Sequence, residues 1–390
     1  MISVEEAKKL IGEHISPLKP VLKPLQEAAN QILSEDIIAA FDIPAFRQSS
    51  MDGYAIIFDD VHEELNLIGE MAAGTAQKLI ISKGKTSRIF TGAPLPQGAD
   101  TVVMQEKTSR KDDRITFDDE RLVRGANVRE IGSEIRTGEL AMAKGDLLSP
   151  AAMAFLAGIG VSEVMVYPNP SVAIILTGNE LQQPGLPLQF GQVYESNSYS
   201  LAAALKNEGI FNVEILKAED SLETLTAVLK ESLVRNDVVL LTGGVSVGDY
   251  DFVLQAAADC GVNQVFHKVK QKPGKPLFFG KKEDKVVFGL PGNPSSVLNC
   301  YYNYVIPALK QLSSKATGLK LIQAELTHPY QKPPGLTHFL KGVYKDGKAT
   351  PLGAQESYRL SSFAQANCLI QLTEGHENFV AGETINVILI

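Results

Sequence analysis

From Ser171 to Leu312 the chain alternates short apolar runs with amphipathic stretches, and this limits the fold more than any other feature. Residues 172–176, 213–216, 237–241 and 286–288 have the apolar, β-branched character of strands. Residues 198–207, 221–234, 252–259 and 295–312 have helical spacing, with Gly209 and Gly261 as stops. Asp220 is the expected N-cap of the second helix, with Glu223 at N3. Strands alternating with helices predict a mostly parallel sheet covered by helices. Such sheets bind ligands outside the carboxyl ends of their strands.

Three glycine- or proline-rich segments fall at that edge. Gly289-Leu290-Pro291-Gly292-Asn293-Pro294-Ser295-Ser296-Val297 follows a strand and opens a helix, with Ser295 or Ser296 as the expected N-cap. Thr242-Gly243-Gly244-Val245-Ser246-Val247-Gly248-Asp249 follows another strand. Between them, Gln271-Lys272-Pro273-Gly274-Lys275-Pro276 sets two lysines three apart where prolines exclude a helix. Backbone N–H groups at a helix start, and nests of N–H groups in glycine turns, receive anions. Lys272 and Lys275 add full positive charge, so a phosphate-bearing or oxyanionic ligand is expected. Glu180, Asp220 and Asp251 each lie just past a strand or at a helix start. A metal on this all-oxygen set would be Mg²⁺ rather than zinc.

The flanks differ in texture. Residues 3–40 read as helices, with Ser3 and Glu6 in a capping-box pattern, breaks at Pro17, Pro20 and Pro24, and a further helix over 26–33. From 43 to about 138, short apolar runs such as 85–90 and 101–105 predict a β-rich domain. A helix is expected after Ser149 and Pro150. Residues 320–390 are again strand-rich. The resulting division is a helical linker domain (1–42 and 136–170), an inserted β-rich domain (43–135), an α/β domain (171–317) and a C-terminal β domain (318–390). A length of 390 residues suits roughly two to four domains.

Composition narrows the partners. A net charge of −8 gives no basic surplus for general nucleic-acid binding. No apolar run reaches the roughly 18 residues of a membrane span, and Met1-Ile2-Ser3-Val4-Glu5-Glu6 does not read as a signal peptide. Cys260, Cys300 and Cys368 are isolated, which points away from a disulfide framework or thiolate zinc site. No nucleic acid, no membrane and a cytoplasmic location are therefore expected. Gly69-Glu70-Met71-Ala72-Ala73-Gly74-Thr75 begins like a P-loop, but no lysine precedes Thr75.

Four segments together resemble one family. They are Pro44-Ala45-Phe46-Arg47-Gln48-Ser49-Ser50-Met51-Asp52-Gly53-Tyr54-Ala55, Thr91-Gly92-Ala93-Pro94-Leu95-Pro96-Gln97-Gly98-Ala99-Asp100, residues 242–251, and Lys272–Pro276 with residues 289–296. In order and spacing they are similar to the molybdopterin molybdenumtransferases, the MoeA proteins of bacteria and the E domain of gephyrin, over nearly the whole chain.

The resemblance implies insertion of molybdate into adenylylated molybdopterin with release of AMP, the last step of molybdenum cofactor synthesis, aided by Mg²⁺. It implies catalytic roles for Asp52, Thr91, Glu180, Asp220, Asp251, Lys272 and Lys275, with Glu180, Asp220 and Asp251 on the metal. Substrate binding would fall to Gly243, Gly244, Ser246, Gly248, Pro291, Gly292, Asn293, Pro294, Ser295, Lys341, Ser361 and Ser362. Lys341 stands where relatives carry an arginine, and Glu134 where they usually carry an aspartate. A homodimer is implied, with the partner's inserted domain closing the site, and the upstream molybdopterin adenylyltransferase as a further partner. Alternatives on the same fold are a tungstate-inserting paralogue and a non-catalytic scaffold that binds peptides.

Overall fold

The computed structural model describes residues 1–244, 252–316 and 318–390. They form two compact units. One comprises Met1–Lys23, Ala28–Ser34 and Met165–Ile390; the other comprises Pro24–Glu27 and Glu35–Val164.

The larger unit is built on a six-stranded sheet ordered Val213–Ala218, Val172–Thr177, Val238–Thr242, Lys285–Leu290, Pro276–Lys282, Asn263–Lys268. The first four strands run parallel. Every residue of Val172–Thr177 and Val238–Thr242 is buried, as befits parallel strands covered on both faces. One face carries Ile174, Leu240 and Phe288 against Val4, Ile11, Leu201, Tyr304 and Leu309. The other sets Ile175, Val239 and Val287 against Leu225, Leu229, Val253 and Ala256. Each such aliphatic side chain contributes roughly 1.5–3 kcal/mol by leaving water.

Pro276–Lys282 and Lys285–Leu290 form an antiparallel hairpin, paired Phe278 to Gly289 and Lys282 to Lys285. Glu283 turns it with a φ of 52°. Asn263–Lys268 adds a second antiparallel edge, so the sheet is mixed rather than purely parallel. The same unit contains a closed five-stranded barrel. Thr337–Lys345 pairs on one side with Lys348–Pro351 and on the other with Cys368–Leu372, and Leu321–Leu326 and Thr384–Leu389 complete the ring. Gln271–Lys272 pairs in parallel with the barrel strand, Lys272 opposite His338.

The smaller unit holds a second six-stranded sheet, ordered Thr101–Met104, Gly53–Ile56, Lys85–Ile89, Leu65–Met71, Arg114–Phe117, Thr108–Lys111. Ala55, Met71, Ile89 and Val102 form its core. Its helix Pro150–Gly158 starts as expected, with Ser149 accepting from the Ala152 N–H and proline in the first turn.

One expectation needs correction. Residues 26–33 are not helical: Leu25–Glu27 is one 3-10 turn, Asn30 has a φ of 59°, and Ile32–Leu33 is a strand paired with Val166 and Tyr167. The N-terminal helix Val4–His14 and the helix Pro150–Gly158 belong to different compact units. Residues 295–312 are helical as expected, in an unbroken run of Pro294–Cys300, a π-helical Tyr301–Val305 and Ile306–Leu312. Among the described residues no helix is long and apolar enough to cross a membrane.

Candidate functional site

A cavity of about 700 Å³ opens at the carboxyl edge of the parallel strands. Its walls include Thr177 at the end of one strand with Gly178 and Glu180 beyond it, Gly243 and Gly244 after the next, and Pro291, Gly292, Asn293 and Ser296 after the third. Asp220, the Gln271–Pro276 loop, Leu336, Gln355 and Ser357 complete it. Of the residues singled out from sequence, Glu180, Asp220, Gly243, Gly244, Lys272, Lys275, Pro291, Gly292 and Asn293 therefore come together. Ser246, Gly248 and Asp251 lie outside the described residues.

The glycines let the turns converge. Gly243 has a φ of 86°, and a Cβ there would meet both the carbonyl and the hydroxyl of Thr177 at 2.9 Å. A Cβ on Gly292 would lie 3.8 Å from Gly243 Cα, so two strand-end turns nearly touch. The Gly243 N–H donates to the Leu290 carbonyl, and Asn197 Nδ2 donates to the Gly292 carbonyl at 3.0 Å. Gly178, with a φ of 138°, leaves room for the Glu180 carboxylate, whose oxygens would lie 2.7 and 2.8 Å from a Cβ.

The helix after Gly292 is capped by Asn293, not by Ser295 or Ser296. The Asn293 carbonyl accepts from the N–H groups of Ser296 and Val297, while the Ser295 N–H donates to the Ser357 carbonyl at 3.0 Å. Ser295 is fully buried. The N–H groups at the helix start are thus spent on internal bonds, and the wall at this turn is made by Pro291, Gly292, Asn293 and Ser296. Asn293 Nδ2 donates to Ser357 Oγ at 2.8 Å, which ties the turn to a barrel loop.

The dilysine loop is held from beneath. Gln271 is fully buried; its Nε2 donates to the Gly274 carbonyl at 2.7 Å, and the Tyr304 hydroxyl donates to its Oε1. Asn299 Nδ2 donates to the Pro273 carbonyl at 3.0 Å, and the Val269 N–H to the Lys275 carbonyl at 3.0 Å. Gly274, with a φ of 87°, packs so tightly that a Cβ would sit 2.6 Å from Cys300 Sγ. Burial pushes the Cys300 thiol up to about 12, so it stays protonated. Lys272 and Lys275 themselves are exposed. The loop therefore presents two cations on a fixed backbone.

The acids are placed differently from the sequence reading in one respect. Ser221 caps the helix Leu222–Arg235, its hydroxyl accepting from the Thr224 N–H, so Asp220 is released from capping and lines the cavity. Among the described residues no three His, Cys, Asp or Glu side chains gather as metal ligands. Glu180 and Asp220 supply two carboxylates.

Other candidates lie away from the cavity. Lys341 is 2 % exposed on the outer face of the barrel strand Thr337–Lys345, where its ammonium donates to the carbonyls of Ala354, Glu356 and Arg359 in the loop over it. Burial lowers its pKa. Those carbonyls take up its donors. Ser362 Oγ donates to the same Ala354 carbonyl and is buried; Ser361 is exposed and does not line the cavity, nor does Pro294. Residues that sequence reasoning missed are Thr177, Gly178, Leu336, Gln355 and Ser357. The three barrel residues carry no local motif that marks them.

Asp52 and Thr91 form a pair in the smaller unit. Asp52 Oδ1 accepts from the Thr91 N–H at 2.7 Å and from its hydroxyl at 2.8 Å. These two donors hold the Asp52 carboxyl below its usual range. Gly53 follows because the chain must pass the neighbouring strand closely: a Cβ there would meet the Val103 carbonyl oxygen at 1.9 Å.

Comparison with known proteins matches this architecture. Residues 2–160 match the MoeA N-terminal region (domain I and II), residues 173–311 a probable molybdopterin binding domain, and residues 323–390 the MoeA C-terminal region (domain IV). The molybdopterin molybdenumtransferase of Staphylococcus aureus strain Mu50 is 34% identical over 401 aligned residues, covering 100% of this chain and 95% of the relative. That of Haemophilus influenzae is 34% identical over 399, covering 99% and 98%. A crystal structure of the molybdopterin biosynthesis MoeA protein from Pyrococcus horikoshii superposes with a TM-score of 0.77 at 29% identity, over 100% of both chains. On full-length identity and shared fold, the chain belongs to the molybdopterin molybdenumtransferases of the MoeA family, transferases of molybdenum cofactor biosynthesis.

Proposed function

We propose that the cavity at the sheet edge receives adenylylated molybdopterin and molybdate, and that molybdate enters the dithiolene as AMP leaves. The observation that carries this reading is the juxtaposition of Lys272 and Lys275 with Glu180 and Asp220 around one cavity of about 700 Å³. Anions need fixed positive charge, which the loop lysines offer, and the Gly243–Gly244 and Gly292–Asn293 turns bring main chain to the same cavity edge. Lys272 and Lys275 hold the oxyanion; the turns orient the phosphate-bearing end of the ligand.

The carboxylates fit Mg²⁺, a hard ion that takes oxygen donors and keeps several waters. Glu180 and Asp220 would hold it together with Asp251, which lies outside the described residues. When bound, the ion would supply positive charge against the phosphoanhydride. Asp52 and Thr91 belong to the other compact unit, and we assign them to the cavity of a second copy in a C₂ homodimer, as reacting-site groups. We assign the protein to the cytoplasm, with the upstream molybdopterin adenylyltransferase as the donor of its substrate.

The test follows AMP release by purified protein given adenylylated molybdopterin, Mg²⁺ and either molybdate or tungstate. Lys275→Ala should weaken ligand binding by about 1.5–3 kcal/mol, the range for a hydrogen bond to a charged group. Binding by the unaltered protein should weaken as salt rises. Titrations of Lys272→Ala and Lys275→Ala that overlay the unaltered protein would remove the loop from the site. A monomer by light scattering would remove the second copy.

A further inference from the structure

Arg88 lies on the strand Lys85–Ile89, three residues before Thr91. Its guanidinium sits between two rings, 5.2 Å from the Tyr54 centroid and 5.0 Å from that of Phe90. Tyr54 is two residues past Asp52, and Phe90 immediately precedes Thr91. Arg88 Nη1 donates to the Gly53 carbonyl at 3.0 Å, and Nη2 donates to Gln105 Oε1. Gln105 closes the circuit, because its backbone N–H donates to the Asp52 carbonyl at 3.0 Å.

Both rings and the Gly53 carbonyl thus lie within two residues of Asp52 or Thr91 in the chain, and Gln105 is hydrogen-bonded to Asp52. We propose that Arg88, backed by Gln105, is a positioning residue that sets the Asp52–Thr91 pair for reaction. The inference rests on the reading of that pair as part of the reacting site.

Asp52 and Thr91 are both exposed, so packing does not fix them and water competes for their bonds. A planar guanidinium held between two aromatic faces, with two in-plane hydrogen bonds, has few alternative orientations. Its bond to the Gly53 carbonyl ties the start of one strand, just after Asp52, to the end of the other, just before Thr91. The Arg88 charge also favours an ionised Asp52, adding to the two Thr91 donors. A lysine in its place would keep the charge but lose the fork that reaches Gly53 and Gln105 together.

The experiment measures kcat and KM for AMP release with adenylylated molybdopterin, molybdate and Mg²⁺. The variants are Arg88→Met, Arg88→Lys, Gln105→Ala, Asp52→Asn and the double Arg88→Met/Asp52→Asn, with melting temperature read in parallel. Methionine keeps apolar contact with both rings while removing the charge and the hydrogen bonds. Arg88→Met should lower kcat roughly tenfold to a hundredfold, the cost of misplacing a reacting group by about an ångström, with KM little changed. Arg88→Lys should recover only part of the loss, and Gln105→Ala should lower kcat to a smaller extent. In the Asp52→Asn background, Arg88→Met should add no further loss.

Unaltered kcat in folded Arg88→Met, beside an inactive Asp52→Asn, overturns the positioning role and leaves the Asp52 reading standing. Full activity of Asp52→Asn overturns both. If Arg88→Met does not fold, Gln105→Ala decides, and unaltered kcat in that variant overturns the inference. An additive loss in the double variant shows that Arg88 acts elsewhere, and also overturns it.

Discussion

Gln271 Nε2 donates to the Gly274 carbonyl over 2.7 Å, so a buried amide braces the loop whose two lysines face the cavity. Replacing it by leucine would keep the volume but leave the Gly274 carbonyl and the Tyr304 hydroxyl without that partner. Gln271→Leu should therefore cost about 1–3 kcal/mol of stability, the penalty for orphaning buried polar groups. Urea denaturation measures this, and titration with molybdate should show weaker binding even in the folded variant.

Gly178 supplies a test of the acid wall. Its φ of 138° excludes ordinary side chains, and a Cβ would lie within 3 Å of both Glu180 oxygens. Gly178→Ala should cost roughly 1–3 kcal/mol as backbone strain and push the Glu180 carboxylate aside. AMP release should fall and need more Mg²⁺ for half its maximum. A variant with unchanged Mg²⁺ dependence would show that Glu180 does not hold the ion.

Asp220 and Ser221 separate function from folding. Ser221 is the helix cap, so Ser221→Ala should cost about 0.5–2 kcal/mol of stability. Asp220→Asn should leave the urea midpoint where it is and lower the rate of AMP release. The reverse pattern, with Asp220→Asn destabilising and active, would return Asp220 to a capping role.

His338, opposite Lys272 in the strand pair, gives the fold an acid limit. Burial first, then the charges of Lys272 and Lys332, lower its pKa from 6.5 to about 4. As pH falls below 6.5 the unfolded chain takes up a proton that the folded chain refuses. The stability from this group is complete above the unfolded pKa and is lost as pH falls toward about 4. At roughly 1.4 kcal/mol per pH unit the loss approaches about 3 kcal/mol. His338→Phe should flatten the pH dependence of urea stability between pH 6.5 and 4; an unchanged slope would place the titration elsewhere.

What the sequence made legible follows from burial. The strands near 172–177 and 238–242 are apolar throughout because helices cover both faces, and the acids and lysines stood out because strand ends are where this fold places its ligands. Pro276–Lys282 and Asn263–Lys268 were not read as strands: they lie on the antiparallel side, and lysines and prolines interrupt their apolar pattern. The stretch 26–33 has helix-like apolar spacing, but its residues pair with Val166 and Tyr167, a contact some 130 residues away that no local pattern shows. Lys341 invited a functional reading through its charge, and only the fold reveals three backbone carbonyls around it. Gln355 and Ser357 reach the cavity from barrel loops far along the chain.

The hairpin Pro276–Lys282 and Lys285–Leu290 begins where the dilysine loop ends and finishes where the Pro291 turn begins. Its backbone ladder therefore gauges the gap between the lysines and the Gly292 wall, with Glu283 and Asp284 at the far tip. Extra residues at that tip would leave the gauge intact. A single residue inserted within either strand would slip the register, turn Phe278, Phe279 or Phe288 out of its core, and misalign both cavity walls in one step. Length variation among homologous chains should for that reason collect at the tip and avoid the two strands.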